Sequence, residues 1–382
     1  MKESGIATER GSALREQRLG SIDLLRVICA VFVVFEHFCE SGIHNAFGFA
    51  QASSFPAYVL LRLLYAVARV AVPVFFIISG YLSAESKDRR LGKVITLFAM
   101  AYFFSVLPSI ASVLLQQARS EAADFGALLK TLVHGLLVKN YYLYLFTALY
   151  CLSPYLNLAI GRLGKKQYLR LLVIAVILFS VWSTVINSLI KLTDHEEWTG
   201  VFFIGRDGTS MGFNAVNFMM LYLAGAYLRR FPPENAKRSR AVAAVVLVIS
   251  TAIMTVGKVW FPRIAKTFYY YDSVFVECSA LSLFVIVSGL RVPAGRALSF
   301  MGRKTFGTYL IHGFASQCIE RFVSIEKTVG RGLGGTVLGI AIFVLGVFIL
   351  SLAITAFFTA VFVPLNRRWK KTRLYNLPFY RE

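Results

Sequence analysis

Two residues of the first apolar segment, Arg26 and His37, are the ones best placed to do chemistry. Eleven helical positions at 3.6 residues per turn return to within about 20° of the starting direction, so on a helix the two side chains share one face. At 1.5 Å per residue they differ in depth by about 16 Å. A guanidinium at one end of such a face suits an anionic group, and an imidazole at the other suits proton transfer near neutral pH. The same depth count gathers Arg69, Tyr142, Tyr144, Glu277 and His312 toward the level of His37. Glu36 points about 100° away from His37 and is expected to pair with Arg69 or Arg62. A charge inside hydrocarbon costs at least a few kcal/mol, so each of these groups needs a partner, a wet cavity or a task.

The five histidines, His37, His44, His134, His195 and His312, show no metal-ligand spacing, so no metal site is expected. Cys29, Cys39, Cys151, Cys278 and Cys318 are scattered through mostly apolar stretches without a CxxC pair, and are read as packing residues. No phosphate-binding glycine loop is present; the segment Arg69 to Tyr81 instead carries Pro73, an expected kink, and Ser79-Gly80, where another backbone can approach closely.

The elements that position these residues follow from composition. Of 382 residues 57% are hydrophobic and only 16% charged, and apolar runs of near twenty residues recur along the chain. That excludes a soluble enzyme, a fibre and a disulfide scaffold. The expected fold is all-α, a polytopic transmembrane bundle of about ten spans near 24–41, 62–84, 93–115, 141–162, 168–190, 213–229, 241–259, 271–290, 297–320 and 333–364. A basic tail, 1–20, precedes the membrane domain, 21–365, and a second basic tail, 366–382, follows it. The net charge of +21 is not a nucleic-acid footprint, because the basic residues sit in short clusters between apolar segments. Of the 41 Lys and Arg, 27 fall on the side of the termini, 11 on the other and three inside spans, which predicts both termini in the cytoplasm. Segment 124–138 is too short to cross and reads as an interfacial helix. Loop 191–212, with Asp194, His195, Glu196, Glu197 and Asp207, is the longest acidic outer segment and reads as solvated.

Three blocks resemble the integral-membrane acyltransferase 3 family, in particular the membrane O-acetyltransferases of bacterial surface polysaccharides. They are Ile22-Asp23-Leu24-Leu25-Arg26 with His37 after ten intervening residues, the run Arg69 to Tyr81, and Phe306 to His312. Val27 stands where the family commonly has glycine, and Tyr142-Leu143-Tyr144-Leu145-Phe146 where many members read His-Leu-Trp-Phe-Leu. The resemblance implies a multi-pass protein of the bacterial cytoplasmic (inner) membrane with no bound cofactor. It implies transfer of an acyl group, usually acetyl from cytoplasmic acetyl-CoA, to a hydroxyl of an extracytoplasmic or lipid-linked glycan. In that scheme His37 is the general base or the acyl carrier, Arg26 holds the donor, and Arg69 and Tyr142 or Tyr144 steady the oxyanion or the sugar. Glu36, Ser79, Glu277 and His312 complete the expected substrate-binding set. The competing reading, a glycan or lipid-linked oligosaccharide transporter or flippase, lacks the internal repeat and paired broken helices such carriers show.

Overall fold

In the computed structural model, which describes residues 2–40, 44–85, 89–118, 125–135, 140–198 and 210–378, every regular element is a helix. The single extended pairing among the described residues is an isolated bridge between Arg90 and Pro378. The long helices in chain order are α1 (Lys2–Cys39), α2 (Ala46–Ser53), α3 (Phe55–Ala68), α4 (Ala71–Ser83) and α5 (Leu91–Ala118). Then come α6 (Phe125–Gly135), α7 (Tyr141–Gly161), α8 (Lys165–Thr193, with a π-turn at Ile177–Val181), α9 (Ala215–Arg230) and α10 (Ala236–Trp260). The chain ends with α11 (Val274–Ser288), α12 (Arg296–Glu320), α13 (Ile325–Val329), α14 (Leu333–Val361, with a π-turn at Ile340–Val344) and α15 (Val363–Trp369).

Seven helices among the described residues are long and apolar enough to cross a membrane. They start at Phe55, Leu91, Tyr141, Lys165, Ala236, Thr267 and Leu333. The other three expected spans coincide with the latter part of α1, with α9 and with α12. α9 has only 16 residues, and α12 carries Arg296, Arg303, Lys304 and Glu320, so neither reads as a lone span. α1 and α9 belong to the protein interior: Leu25, Cys29, Phe38, Phe218, Leu221 and Tyr222 join the main core. α8, α10 and α14 turn long apolar faces outward, with Ile174, Val248 and Phe357 more than half exposed, the pattern of a surface that meets lipid.

The sequence reading needs correction at two elements. The span expected at 62–84 starts at Phe55, where Ser54 accepts from the Ala57 backbone N–H at 3.4 Å as the N-cap, and it is broken at Arg69-Val70. Pro73 has no N–H to offer the Arg69 carbonyl and its ring crowds that oxygen, so the expected kink is the break at Arg69-Val70, one turn before it within the single span Phe55–Ser83. Pro73 is the third residue of α4, among the first-turn positions whose N–H groups have no intrahelical acceptor. The unusually long last span resolves into α14 and the short α15, separated at Phe362 with Pro364 in the first turn of α15. The segment expected at the interface is helical over Phe125–Gly135, with Phe125, Leu129 and Val133 exposed four residues apart as one apolar stripe, and it bonds to α5 through Tyr102 and Ser109. Residues 124 and 136–138 of it, and residues 199–209 of the acidic loop, Asp207 included, lie outside the described residues.

α4 and α9 cross at backbone contact on reciprocal glycines. A Cβ at Gly80 would run into the Tyr222 carbonyl oxygen, and one at Gly225 into the Ile77 carbonyl oxygen. These are backbone atoms that no rotamer change moves. Gly80→Val is therefore expected to destabilise the fold by at least the upper end of the roughly 1–3 kcal/mol typical of overpacking. The check is the fraction of protein that extracts from membranes as a monodisperse species, which should fall sharply for Gly80→Val and for Gly225→Val.

Candidate active site

The latter part of α1 contributes to two cavities, Arg26 to one and Val33, Glu36 and His37 to the other. One, of about 410 Å³, is lined by the cations Arg26, Arg89, Lys93 and Arg303, by Ser79, and by an aromatic end that includes Phe76, Tyr142 and Tyr309. The other, of about 210 Å³, is lined by Glu36, His37, Glu40, Arg69, Asn140, Tyr141 and Tyr271, again with Tyr309. Val72 and Tyr309 line both, so they form the shared wall.

Each cavity is assembled from several helices for identifiable local reasons. Arg26 donates to Asp23 at 3.0 Å, one turn earlier on α1, and Asp23 is seated against Gly302 of α12, where a Cβ would meet the carboxylate at 2.6 Å. Ser21 fixes the same end of α1 by donating to the Leu290 carbonyl at 2.7 Å. Arg89 donates from Nε to Ser153 Oγ of α7 at 2.7 Å and lies over the Tyr150 ring, as does the Lys93 ammonium at 4.7 Å. Arg89 and Lys93 are thus oriented by a hydroxyl and a ring, and with Arg26 balanced by Asp23 the cavity keeps a net positive wall.

In the second cavity the buried pair Glu36 and Arg69 forms a rigid side. Arg69 Nη1 donates to Glu36 Oε2 at 2.6 Å and to the Tyr271 hydroxyl at 3.1 Å, while Nε donates to the Tyr269 carbonyl at 2.7 Å. The guanidinium also lies 4.0 Å from the centre of the Tyr271 ring. Arg69 is the residue at the α3–α4 break, so its fork ties that break to the segment preceding α11. His37 Nδ1 stands 3.6 Å from Glu40 Oε2, and Glu40 is itself held by the Tyr65 hydroxyl at 2.9 Å. The His37 ring stacks on His312 at 4.9 Å and 18°. His312 Nδ1 is bonded to the Tyr309 carbonyl, an oxygen that only accepts, so Nδ1 carries the proton and Nε2 is the basic nitrogen. Asn140 caps α7 by accepting from the Leu143 backbone N–H at 3.1 Å and accepts from the Tyr309 hydroxyl at 3.4 Å, which holds the shared wall to the start of that helix.

The structure brings Glu36, His37, Arg69 and His312 together and sets Arg26 at the other cavity. Other expected site residues are placed differently. Tyr142 and Ser79 line the cation cavity and not the histidine cavity. Tyr144 lines neither; two residues on from Tyr142, it is turned about 200° around α7, half exposed and packed on Phe98. Glu277 also lines neither cavity and is buried against the π-turn of α8, where Ser180 donates to it. A depth count gives a level in the membrane, but not the direction a side chain faces. Glu36 has Arg69, not Arg62, as its partner; Arg62 lies over the Phe47 ring at 3.5 Å.

Asp23, Glu40, Arg89, Lys93, Asn140, Tyr271, Arg303 and Tyr309 went unassigned from sequence. For Arg89, Lys93 and Arg303 a signal existed, since all three are basic residues on the side assigned to the mouth of Arg26. Glu40 lies one helical turn beyond His37, the spacing of an orienting carboxylate. Cys29 and Cys39 are buried free thiols of the main core, and the other three cysteines are also free.

No curated protein and no solved structure shows significant similarity to the chain. A family model described as an acyltransferase domain, that of acyltransferase 3, matches residues 19–360, a stretch that holds both cavities and all three sequence blocks. This multi-pass membrane protein therefore belongs to the acyltransferase 3 family.

Proposed function

We propose that the protein is an O-acyltransferase of the bacterial cytoplasmic membrane, taking acetyl from cytoplasmic acetyl-CoA and placing it on a hydroxyl of an extracytoplasmic or lipid-linked glycan. In this reading ten segments cross the bilayer, α1, α9 and α12 among them, and both termini are cytoplasmic, as the excess of Lys and Arg on that side requires. The observation that carries the proposal is the pair of cavities with a common wall. One has four cations suited to the phosphates of CoA, the other a histidine with a carboxylate behind it, and Val72 and Tyr309 stand between them.

The thioester enters beside Tyr309, with Arg26 and its neighbours gripping the phosphates. His37, with Nδ1 turned to Glu40, takes the proton of the acceptor hydroxyl on Nε2. The hydroxyl oxygen attacks the carbonyl carbon, the C–S bond breaks, and CoA leaves as the thiolate, which recovers the proton from His37. Asn140 donates from Nδ2 to the oxyanion, and the Tyr309 hydroxyl, which donates to Asn140 Oδ1, holds that amide beside the shared wall. Arg69 neutralises Glu36 and holds Tyr271 in the wall, with its Nε and Nη1 donors already engaged. Arg26→Ala is expected to raise the KM for acetyl-CoA by about 10-fold or more, the worth of a charged hydrogen bond of roughly 1.5–3 kcal/mol, and to change kcat less.

The decisive experiment supplies purified protein in proteoliposomes with acetyl-labelled acetyl-CoA and candidate glycans. Label in an ester on the glycan is the expected result. Label retained on His37 in the absence of acceptor would replace direct transfer by a covalent acyl-histidine route. Glycan crossing the membrane with no thioester consumed would overturn the proposal in favour of a transporter.

A further inference from the structure

The C-terminal segment past α15 lies beyond the matched family region, yet it packs on the start of α5, next to two cations of the cavity. The first N–H groups of any α-helix lack intrahelical acceptors. At α5 two of them are satisfied from the far end of the chain: Leu91 N–H donates to the Leu377 carbonyl at 2.9 Å and Gly92 N–H to the Tyr375 carbonyl at 3.1 Å. Arg90 donates from its guanidinium to Asn376 Oδ1 at 2.8 Å and pairs with Pro378 in the isolated bridge. Asn376 in turn donates to the carbonyls of Lys370 and Thr372, both at 3.0 Å, which folds the segment into a compact turn. Trp369 donates from its indole N–H to Thr96 Oγ1 at 3.0 Å, so the strap is pinned at both ends along the first turns of α5. Gly92 is needed for this contact, because a Cβ there would overlap the Tyr375 ring and its Cα.

The stretch clamped in this way carries Arg89 and Lys93, two of the four cations of the cavity. On its other flank Tyr150 and Ser153 of α7 hold the same residues, Tyr150 also accepting from the Arg90 backbone N–H at 3.0 Å. We propose that the C-terminal strap, residues 369–378, is a positioning element for the acyl donor: by capping α5 it sets Arg89 and Lys93 at the spacing that grips the donor's phosphates. This rests on the reading of the cation cavity as the donor site. It assigns a part in the reaction to residues that touch no substrate and acts through ordering, since a side chain already fixed loses less entropy when it binds.

The test compares three variants with the intact protein in the labelled acetyl-CoA assay: the chain ending at Lys370, the point variant Asn376→Ala, and Gly92→Ala, whose new methyl lifts the strap. Each is expected to raise the KM for acetyl-CoA by about 10-fold, roughly the worth of one charged hydrogen bond, with kcat and the acceptor KM within about twofold. Tyr375→Phe, which keeps the ring against Gly92, should behave as the intact chain. If the shortened chain does not accumulate, the two point variants decide the matter. Variants that extract as monodisperse protein and keep the intact chain's donor KM would overturn the role of the strap. Lys93→Ala separates the two layers: a raised donor KM there with unchanged strap variants condemns only the strap, whereas an unchanged donor KM for Lys93→Ala condemns the donor cavity itself.

Discussion

Replacing His37 by Ala or Gln is expected to lower acyl transfer by about 10²- to 10⁴-fold, the range general-base catalysis typically supplies, with the protein accumulating in the membrane at normal level. The imidazole is a third exposed and lines a cavity, so truncation removes little buried contact beyond the stack on His312. Gln keeps a hydrogen-bonding group of similar reach but cannot take a proton at neutral pH. His312 does not replace it, because its ring is stacked on His37 and is not part of the lining of the cavity. Glu40→Gln should show a smaller loss, since the 3.6 Å approach to Nδ1 orients the ring and supports its positive charge without reacting. Initial rates with labelled acetyl-CoA, normalised to membrane protein, make the comparison. A His37→Gln variant that keeps more than a tenth of the rate would remove His37 as the base and leave Glu40 as the candidate.

How much of this arrangement was legible before the structure depends on what kind of information each feature needs. The spans were readable where an apolar run meets a capping residue: 141–162 was expected, and α7 occupies Tyr141–Gly161 with Asn140 as its cap. Arg26 and His37 stood out in the sequence as charged and titratable groups within an apolar segment, and the structure lines one cavity with each of them. Direction across helices was not readable. Tyr142 and Tyr144 have the same type and nearly the same depth, yet the first is buried at the cation cavity and the second faces outward, because rotation about the helix axis is set by packing partners. Glu277 shares the level of His37 but belongs to another wall. The kink at Pro73 was readable because a proline denies the carbonyl four residues back its helical donor; the break at Arg69-Val70 sits there, and tertiary bonds from Arg69 to Tyr269 and Tyr271 hold it. Arg89 and Lys93 were visible only as topological charges, since the segment that orients them arrives from the other end of the chain.

Arg69→Ala is expected to destabilise the protein by about 3–5 kcal/mol, the cost of leaving one member of a buried ion pair without its partner. Against a net stability of roughly 5–15 kcal/mol this is a large fraction. Three separate losses add up at this site. Glu36 is left buried without Arg69 Nη1, which donates to it at 2.6 Å, and its other oxygen, Oε1, already has no hydrogen-bond partner among the described residues. The Tyr269 carbonyl loses its donor, and the α3–α4 break loses its tie to the segment that carries Tyr271. Arg69→Lys should recover only part of the loss, because an ammonium cannot reach Glu36, Tyr269 and Tyr271 with the geometry of a fork. The informative variant is the double replacement Glu36→Leu with Arg69→Met. Removing both charges together relieves the uncompensated burial, so the double variant should be more stable than Arg69→Ala alone, as replacement of a buried pair by apolar groups often is. Its transfer activity should nevertheless stay low, since Tyr271 and the wall of the histidine cavity are then unanchored. Thermal unfolding in detergent, read alongside labelled-acetyl transfer, separates the two effects. Equal stability of Arg69→Ala and the intact protein would show that Glu36 is not charged in the folded state, and a double variant with full activity would show that the pair holds the helices together but plays no part in shaping the cavity.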